Sequence, residues 1–520
     1  MPPGVRCADA GGVMLISDVV AFAAGRAPEV AALEFEDTTW TFGELRRAIH
    51  RLAHGLAGIA RPGDRIAVLT ENNPEYVLAY HAVPLAGMVL LPVNYRLAPR
   101  EIADLLADAR PTALLTEAKY LDAARHAAAE VSSITTIITV DGSSGMALSE
   151  LIEGQPDTEP ARPDEDSPAW LLYTSGTTGR AKGAVLTHRN VVAGAVNAAL
   201  SWPRATEQRP VSLVPWPLCH IAGYNVLVAH LAAETVVLLR RYSAEGFLDA
   251  VRRHRVTATT VAPTMLAMLL RHPALEVCDT SSITRIGYGS APMPVATLRE
   301  AMIRFPNAGF RAGFGMTELA GNALAHGPDG HREAAGGRPE LLASAGTPML
   351  LSAARVVDDD GVECAPEVVG ELEIRGDQVF SGYWNRPEAT EESFRDGWFR
   401  TGDLARCDAE GRYAIVDRRK DMILSGGENV YSREVEDVLH QHPAVGAAAV
   451  VGAPDELWGE RVVAVIEPAS AEHPTEREIR EFCAAHLAGY KCPRAVLVVD
   501  ELPRNTAGKV LKRELRDRVR

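Results

Sequence analysis

At 520 residues the chain is too long for one ordinary hydrophobic core, so two or more domains are expected. With 47% hydrophobic and 23% charged residues it has the balance of a soluble globular protein, and no run reaches the roughly 18 uninterrupted apolar residues of a membrane span. Its 53 basic and 68 acidic residues leave a net charge of −15, which excludes a general nucleic-acid binder and requires any anionic ligand to be met by individual Lys or Arg side chains.

Residues 1–12 read as a flexible leader without the charged and apolar regions of a signal peptide. Beyond them, RIAVLT (65–70), VLLPVN (89–94) and TALLTE (112–117) read as buried strands, with helices at 75–86 and 99–109 between them. Strand–helix alternation implies parallel sheet with helices on its faces. The rhythm continues through AWLLYTS, TVVLLR (235–240) and ATTVAP (258–263). Near residue 345 it gives way to short strands with turn signals, SAARVVDDDG, GELEIRG and GRYAIVD, with a hairpin turn at Asp408–Gly411. The charge cluster VDRRKD (416–421) suggests a boundary: an N-terminal domain over 13–416, a hinge at 417–421 and a C-terminal domain over 422–520. In that last part Ser432 is expected to cap a helix carrying Val435, Val438 and Leu439. Thr475 and Glu478 form a capping box opening a second helix, with Gly489 closing it. GAAAVVG, RVVAVIE and AVLVVDEL (495–502) read as strands. Cys7, Cys219, Cys278, Cys364, Cys407, Cys483 and Cys492 are odd in number and show no CxxC spacing, which fits a reducing cytoplasm.

The stretch LLYTSGTTGRAKG (171–183) carries the chemistry. Thr174, Ser175, Thr177 and Thr178 offer hydroxyls, Gly176 and Gly179 let backbone N–H groups converge on an anion, and Lys182 adds a point charge. The mixture suits an oligophosphate, yet it lacks the GxxxxGK[ST] of a Walker loop. Further on, GFGMTEL (313–319) sets an aromatic, a hydroxyl and a carboxylate within a few residues, and FRTGDLA (399–405) places Asp403 after a Thr-Gly turn. DRRKDMILSGGENV (417–430) joins basic residues to a paired-glycine loop, and PRNTAGKVLKREL (503–515) carries Lys509. Taken singly, each reads as an ordinary turn, core residue or solvated charge.

Together and in this order, over roughly residues 15–515, these segments resemble the adenylate-forming superfamily, most of all its fatty-acyl-CoA ligase branch. The resemblance implies an α/β fold: a large N-terminal domain of stacked mixed sheets with helices and a small β-barrel-like part, followed by a small mobile α+β domain. It implies ATP-dependent activation of a carboxylic acid to an acyl-adenylate with pyrophosphate release, then transfer to the thiol of CoA, with Mg²⁺ as metal. By the same resemblance the loop from Thr174 through Ser175, Gly176, Thr177, Thr178 and Gly179 to Lys182 holds the β- and γ-phosphates. Ser290, Ala291 and Pro292 line the adenine and acyl pockets. Gly313, Phe314, Gly315 and Met316 complete the nucleotide pocket, and Phe314, usually Tyr in this family, stacks on adenine. Thr317 touches the α-phosphate and Glu318 holds Mg²⁺, a hard cation that takes oxygen ligands. Asp403 and Arg418 bind the ribose, with Val416 beside them, and Lys509 bridges the attacking carboxylate and the α-phosphate. His220 gates the acyl pocket and the thiol tunnel. Lys420 is the pivot of a rotating C-terminal domain, and Ser425, Gly426 and Gly427 swing in to line the pantetheine tunnel.

The pocket-facing positions after PLCH, expected at Ala222, Gly223 and Val226, are small, apolar and without a charge partner. They disfavour an amino acid and leave a medium or long fatty acid as first expectation and an aryl or cinnamate-like acid as second. CoA is the expected acceptor, with an acyl carrier protein, a nitrogen nucleophile or nitrite as alternatives, in a monomer or homodimer of the cytoplasm. A catalytically idle nucleotide-binding regulator, or a membrane contact through the basic end KVLKRELRDRVR, are readings from other classes.

Overall fold

The computed structural model describes residues 14–174, 181–202, 210–470, 473–504 and 510–519. Two large sheets form its body. The first has eight strands, with Arg65–Leu69 running parallel between Val89–Pro92 and Ala113–Thr116. The second has nine, of which Ala31–Phe35, Thr235–Leu238, Val211–Val214, Ala258–Val261, Arg285–Gly289 and Gly309–Met316 are parallel neighbours; antiparallel strands finish both edges.

The helix Pro74–Leu85 shows why periodicity alone cannot place such elements. It is capped by Asn73, which accepts from the Tyr76 N–H at 2.8 Å, and every residue in it except Glu75 is buried. A helix that is apolar all round is sandwiched rather than half-exposed. Ahead of it Asn72, itself buried, donates to the carbonyls of Trp216 and Leu239 (2.8 Å each) and accepts from the Leu218 N–H at 2.8 Å. One side chain thereby fixes the loop after a strand of the first sheet to the PLCHIAG segment of the second.

AWLLYTS is the expected strand up to Thr174, and AKGAVLT returns beside it. Pro168–Thr174 and Lys182–Thr187 pair antiparallel, with Thr174 opposite Lys182, and the short strand Gly382–Tyr383 adds to the outer edge through Val185 and Ala184. After residue 350 an antiparallel five-stranded sheet follows, built from Ala353–Val357, Gly370–Arg375, Phe394–Arg395, Trp398–Cys407 and Tyr413–Arg418.

The last part has its own five-stranded sheet, in which Val445–Asp455 pairs with Gly459–Pro468. Alternation along these strands sends Val450, Ala464 and Ile466 to one face, against Val435 and Ile479, and Val451, Val463 and Val465 to the other, against Leu502 and Leu515. The Thr475–Glu478 capping box is formed, and its helix runs Glu476–His486. Two local expectations fail. Ser432 is the first residue of its helix and not the cap: its N–H and hydroxyl both bond Asp417, which performs the capping from a neighbouring strand. Gly489 opens a short 3-10 turn, Gly489–Lys491, instead of closing the preceding helix. Among the described residues no helix is long and apolar enough to cross a membrane.

Candidate active site

Lys182 begins the outgoing strand of the hairpin, half-buried, with its ammonium 5.0 Å above the ring of Tyr383. The Tyr383 hydroxyl donates to Glu318 Oε1 at 2.9 Å, and the Phe380 N–H donates to the Glu318 carbonyl at 2.9 Å. The edge strand Gly382–Tyr383 therefore ties the predicted phosphate-loop lysine to the predicted metal-binding carboxylate. Burial and the nearby Glu318 charge push the Tyr383 phenol well up, so it remains a donor. Thr174 lies opposite Lys182, but Ser175, Gly176, Thr177, Thr178 and Gly179 lie outside the described residues, as does Lys509. A Mg²⁺ site built on one or two carboxylates plus substrate phosphates fits Glu318. Among the described residues no cluster of three or more His, Cys, Asp or Glu side chains is placed to hold a metal.

Glu318 and Thr317 sit on a 3-10 turn, Thr317–Leu319, at the end of the strand Gly309–Met316. That strand is pinned between Arg285–Gly289 and Gly321–His326, with an irregularity between Phe314 and Gly315. A Cβ on Gly315 would fall 1.9 Å from the Gly321 carbonyl, so only glycine lets the two backbones approach. Ser290 leaves the neighbouring strand with φ +70°, a conformation that costs a non-glycine residue about 1–2 kcal/mol and collects at functional sites. Ala291 and Pro292 follow it, exposed.

Asp403 and Arg418 face each other across two antiparallel strands, Arg418 Nε lying 2.6 Å from Asp403 Oδ1. Asp403 is 3% exposed, and its N–H donates to Thr401 Oγ1 at 3.1 Å. Val416 lies two residues before Arg418 on the same strand, and Lys420 follows on the exposed turn. Ser425, Gly426 and Gly427 form a tight hairpin turn between Ile423–Ser425 and Glu428–Val430. Both glycines have positive φ (+62° and +85°), as a turn with two left-handed residues demands, and a Cβ on Gly426 would meet the Trp458 ring at 2.6 Å.

Between the PLCHIAG segment and the second sheet lies a cavity of about 90 Å³. Ser290, Gly313, Gly315 and Met316 line one side, Ala222 and Asn225 the other. The expected trio needs correction. Ala222 does face the cavity. Gly223 packs under Tyr80, whose hydroxyl leaves no room for a Cβ, and Val226 is fully buried away from it. Steps of three select 222, 225 and 228, so Asn225 and Val228 take those places. The aromatic walls Trp202 and Trp216 and the cation Arg311 also line the cavity, all missed from the sequence. Past Trp202, Asn225, Val228 and Thr260 it abuts a second cavity of about 430 Å³. His220 precedes the 3-10 turn Ile221–Tyr224. Desolvation, then the charge of Arg96, lowers its pKa to about 4, and its buried Nε2 has no partner among the described residues.

Residues 20–384 match the family model of the AMP-binding enzyme, and residues 434–509 that of the AMP-binding enzyme C-terminal domain. The feruloyl-CoA synthase of Amycolatopsis sp is 37% identical over 504 residues, covering 94% of this chain and 96% of that one. The 2-succinylbenzoate–CoA ligase of Bacillus subtilis is 38% identical over 497 residues, covering 94% and 95%. Among solved structures, ATP-bound MatB from Rhodopseudomonas palustris superposes with a TM-score of 0.88 at 31% identity, covering 97% of this chain and 99% of that one. The chain belongs to the AMP-binding enzyme family, the adenylate-forming superfamily to which its motifs point. It is an AMP-forming acid–thiol ligase that works with ATP, Mg²⁺ and CoA.

Proposed function

We propose that this enzyme activates an aryl carboxylic acid of the cinnamate type and passes it to CoA. A carboxylate oxygen attacks the α-phosphorus of ATP, the bond to the β-phosphate breaks, and pyrophosphate leaves. The CoA thiol then attacks the acyl carbon, gives its proton to solvent and expels AMP. Catalysis of this kind is positioning and charge stabilisation. Thr174 through Gly179 and Lys182 hold the terminal phosphates, Thr317 and Lys509 the α-phosphate, Asp403 and Arg418 the ribose, and Phe314 the adenine. Glu318 would hold Mg²⁺, which would supply positive charge to the phosphate oxygens. His220, neutral at pH 7, gates the acyl pocket. The chain divides at 417–421, Lys420 is the pivot, and the Ser425–Gly427 turn lines the thiol tunnel in the second half-reaction.

The Lys182–Tyr383–Glu318 contact supports this reading, because the lysine and the carboxylate proposed to meet phosphate and metal share one tyrosine. Preference for an aryl acid over the fatty acid expected first rests on the cavity walls Trp202 and Trp216, flat surfaces suited to a ring. The 37% identical feruloyl-CoA synthase supports the same order. The fatty acid stays as second reading on one observation: the larger cavity beyond Val228 has Leu213, Val214, Ala229 and Ala258 in its wall, beside the polar Ser212, Glu234 and Arg285.

A pyrophosphate-release screen over cinnamates and alkanoates, with and without CoA and read by mass spectrometry, tests the proposal. Cinnamates should give release and, with CoA, a thioester. Release that climbs with alkanoate chain length and is absent with cinnamates selects the second reading. Lys509→Ala should slow adenylate formation by roughly 10²–10³-fold while sparing thioester formation from pre-made acyl-adenylate. Equal loss in both halves rejects the role given to Lys509.

A further inference from the structure

We infer that Arg311 reads the far end of the acid, and that the acid carries an oxygen acceptor there, anionic in its strongest form. This rests on the acid-activation reading and narrows its substrate class. Arg311 alternates with Gly313 and Gly315 on one strand, so all three side-chain positions share a face, and Arg311 sits in register beside Gly287, another glycine of the cavity wall. Glycines at 287, 313 and 315 leave the guanidinium as the long polar side chain on this part of the wall.

Arg311 is 3% exposed, and its guanidinium is poorly satisfied. It has five N–H donors. Among the described residues it finds one oxygen, the Ala198 carbonyl at 3.3 Å, and one sulfur, Met349 Sδ at 3.8 Å, while Nε has no partner. Its carbon lies 5.2 Å over the Trp202 ring. Desolvation lowers its pKa, yet an arginine stays charged in proteins. No carboxylate of the described residues lies within 4.0 Å of it.

Two other part-buried arginines have a carboxylate partner. Arg285, two strand positions away on the same face, meets Glu234 at 2.7 Å, and Glu234 also accepts from Ser212 at 2.5 Å. Arg355 meets Glu373 at 2.6 Å. A buried cation is costly without a counter-charge, and where the described residues supply none beside a ligand cavity, the ligand is the proposed source of the counter-charge or acceptor.

Geometry restricts the ligand further. The reacting carboxyl belongs near Thr317 and Glu318, past Gly315. Arg311 lies six residues before Thr317, toward the other end of the same strand. The acceptor therefore sits at the end of the acid away from its reacting carboxyl, a hydroxyl or carboxylate across a ring or a chain.

The test measures pyrophosphate release by the full-length enzyme with matched acids: cinnamate, 4-hydroxycinnamate and 4-carboxycinnamate, and octanoate beside suberate. In the wild type kcat/KM should be at least about tenfold higher for the acids with a far-end oxygen, expressed mainly in KM. Arg311→Met should erase or reverse that preference, read as the kcat/KM ratio within each matched pair of acids. Arg311→Lys, which keeps the charge but loses the fork, should fall between them. Activity without preference in the wild type overturns the inference alone, and this comparison needs no variant to fold. An equal loss on every acid in Arg311→Met also overturns it, since that marks a structural role. Tight ATP binding with no release from any acid overturns the acid-activation reading itself, and this inference with it.

Discussion

Tyr383 makes contact with two groups that chemistry would otherwise have to align separately, its hydroxyl 2.9 Å from Glu318 and its ring 5.0 Å under the Lys182 ammonium. Tyr383→Phe keeps the ring and deletes one hydrogen bond to a charged acceptor, a loss of about 1.5–3 kcal/mol. Adenylate formation should slow by roughly tenfold or more, with partial recovery at raised Mg²⁺, and stopped assays across a Mg²⁺ series would read it. An unchanged rate at low Mg²⁺ would remove Tyr383 from the site. Asp403→Asn should raise KM for ATP far more than KM for the acid, because its partner Arg418 is already 2.6 Å away and the pair faces the proposed ribose position. Asp403, Arg418, Glu318 and Lys182 stand out in the sequence as candidates because each sits in a motif whose order along the chain is informative. Tyr383 and Arg311 do not. Each stands in an ordinary strand sequence, and its meaning comes from a partner, or from the lack of one, that only folding supplies.

At the scale of elements, boundaries of the long buried strands could be read closely: Arg65–Leu69, Val89–Pro92 and Ala113–Thr116 are the uninterrupted apolar runs of the parallel sheet. The errors fall where a tertiary contact replaces a local one. Ser432 carries the right chemistry for a cap, but Asp417 takes its N–H and hydroxyl, so the helix start depends on another strand. Asp417→Ala should cost about 1–2 kcal/mol in chemical denaturation of the C-terminal part, whereas a solvated acid would cost nothing measurable. The paired-glycine turn was legible for the opposite reason, since two positive φ angles leave few alternatives to glycine. Gly426→Ala must strain φ and push the Trp458 ring. We expect a loss of about 1–3 kcal/mol and, under the proposed role of this turn, a slower thioester half-reaction with adenylate formation nearly intact.

The whole molecule carries a titration that no single motif announces. Desolvation holds His81 at about 3 and His188, His220, His230 and His331 at about 4, against an ordinary value of 6.5. Between pH 6.5 and about 4 the unfolded chain takes up protons that the folded chain refuses. The stability these depressed histidines lend is therefore complete above pH 6.5 and lost as pH falls toward 4. Each contributes a loss of ~1 kcal/mol by pH 5.5, several in sum. Denaturant midpoints at pH 7.5 and 5.5 should show the decline, and a flat profile would contradict the neutral burial of these rings. The helix Pro74–Leu85, where His81 lies, was expected at 75–86 between its flanking strands, while its full burial between layers was invisible to periodicity.

The pairing of Val185 with Gly382 also sets a clock on biosynthesis. A ribosome extending the chain at about 5–20 residues per second delivers the partner strand roughly 10–40 s after the hairpin emerges. For that interval the nascent polypeptide presents a bare strand margin, the kind of surface that invites mispairing or a chaperone.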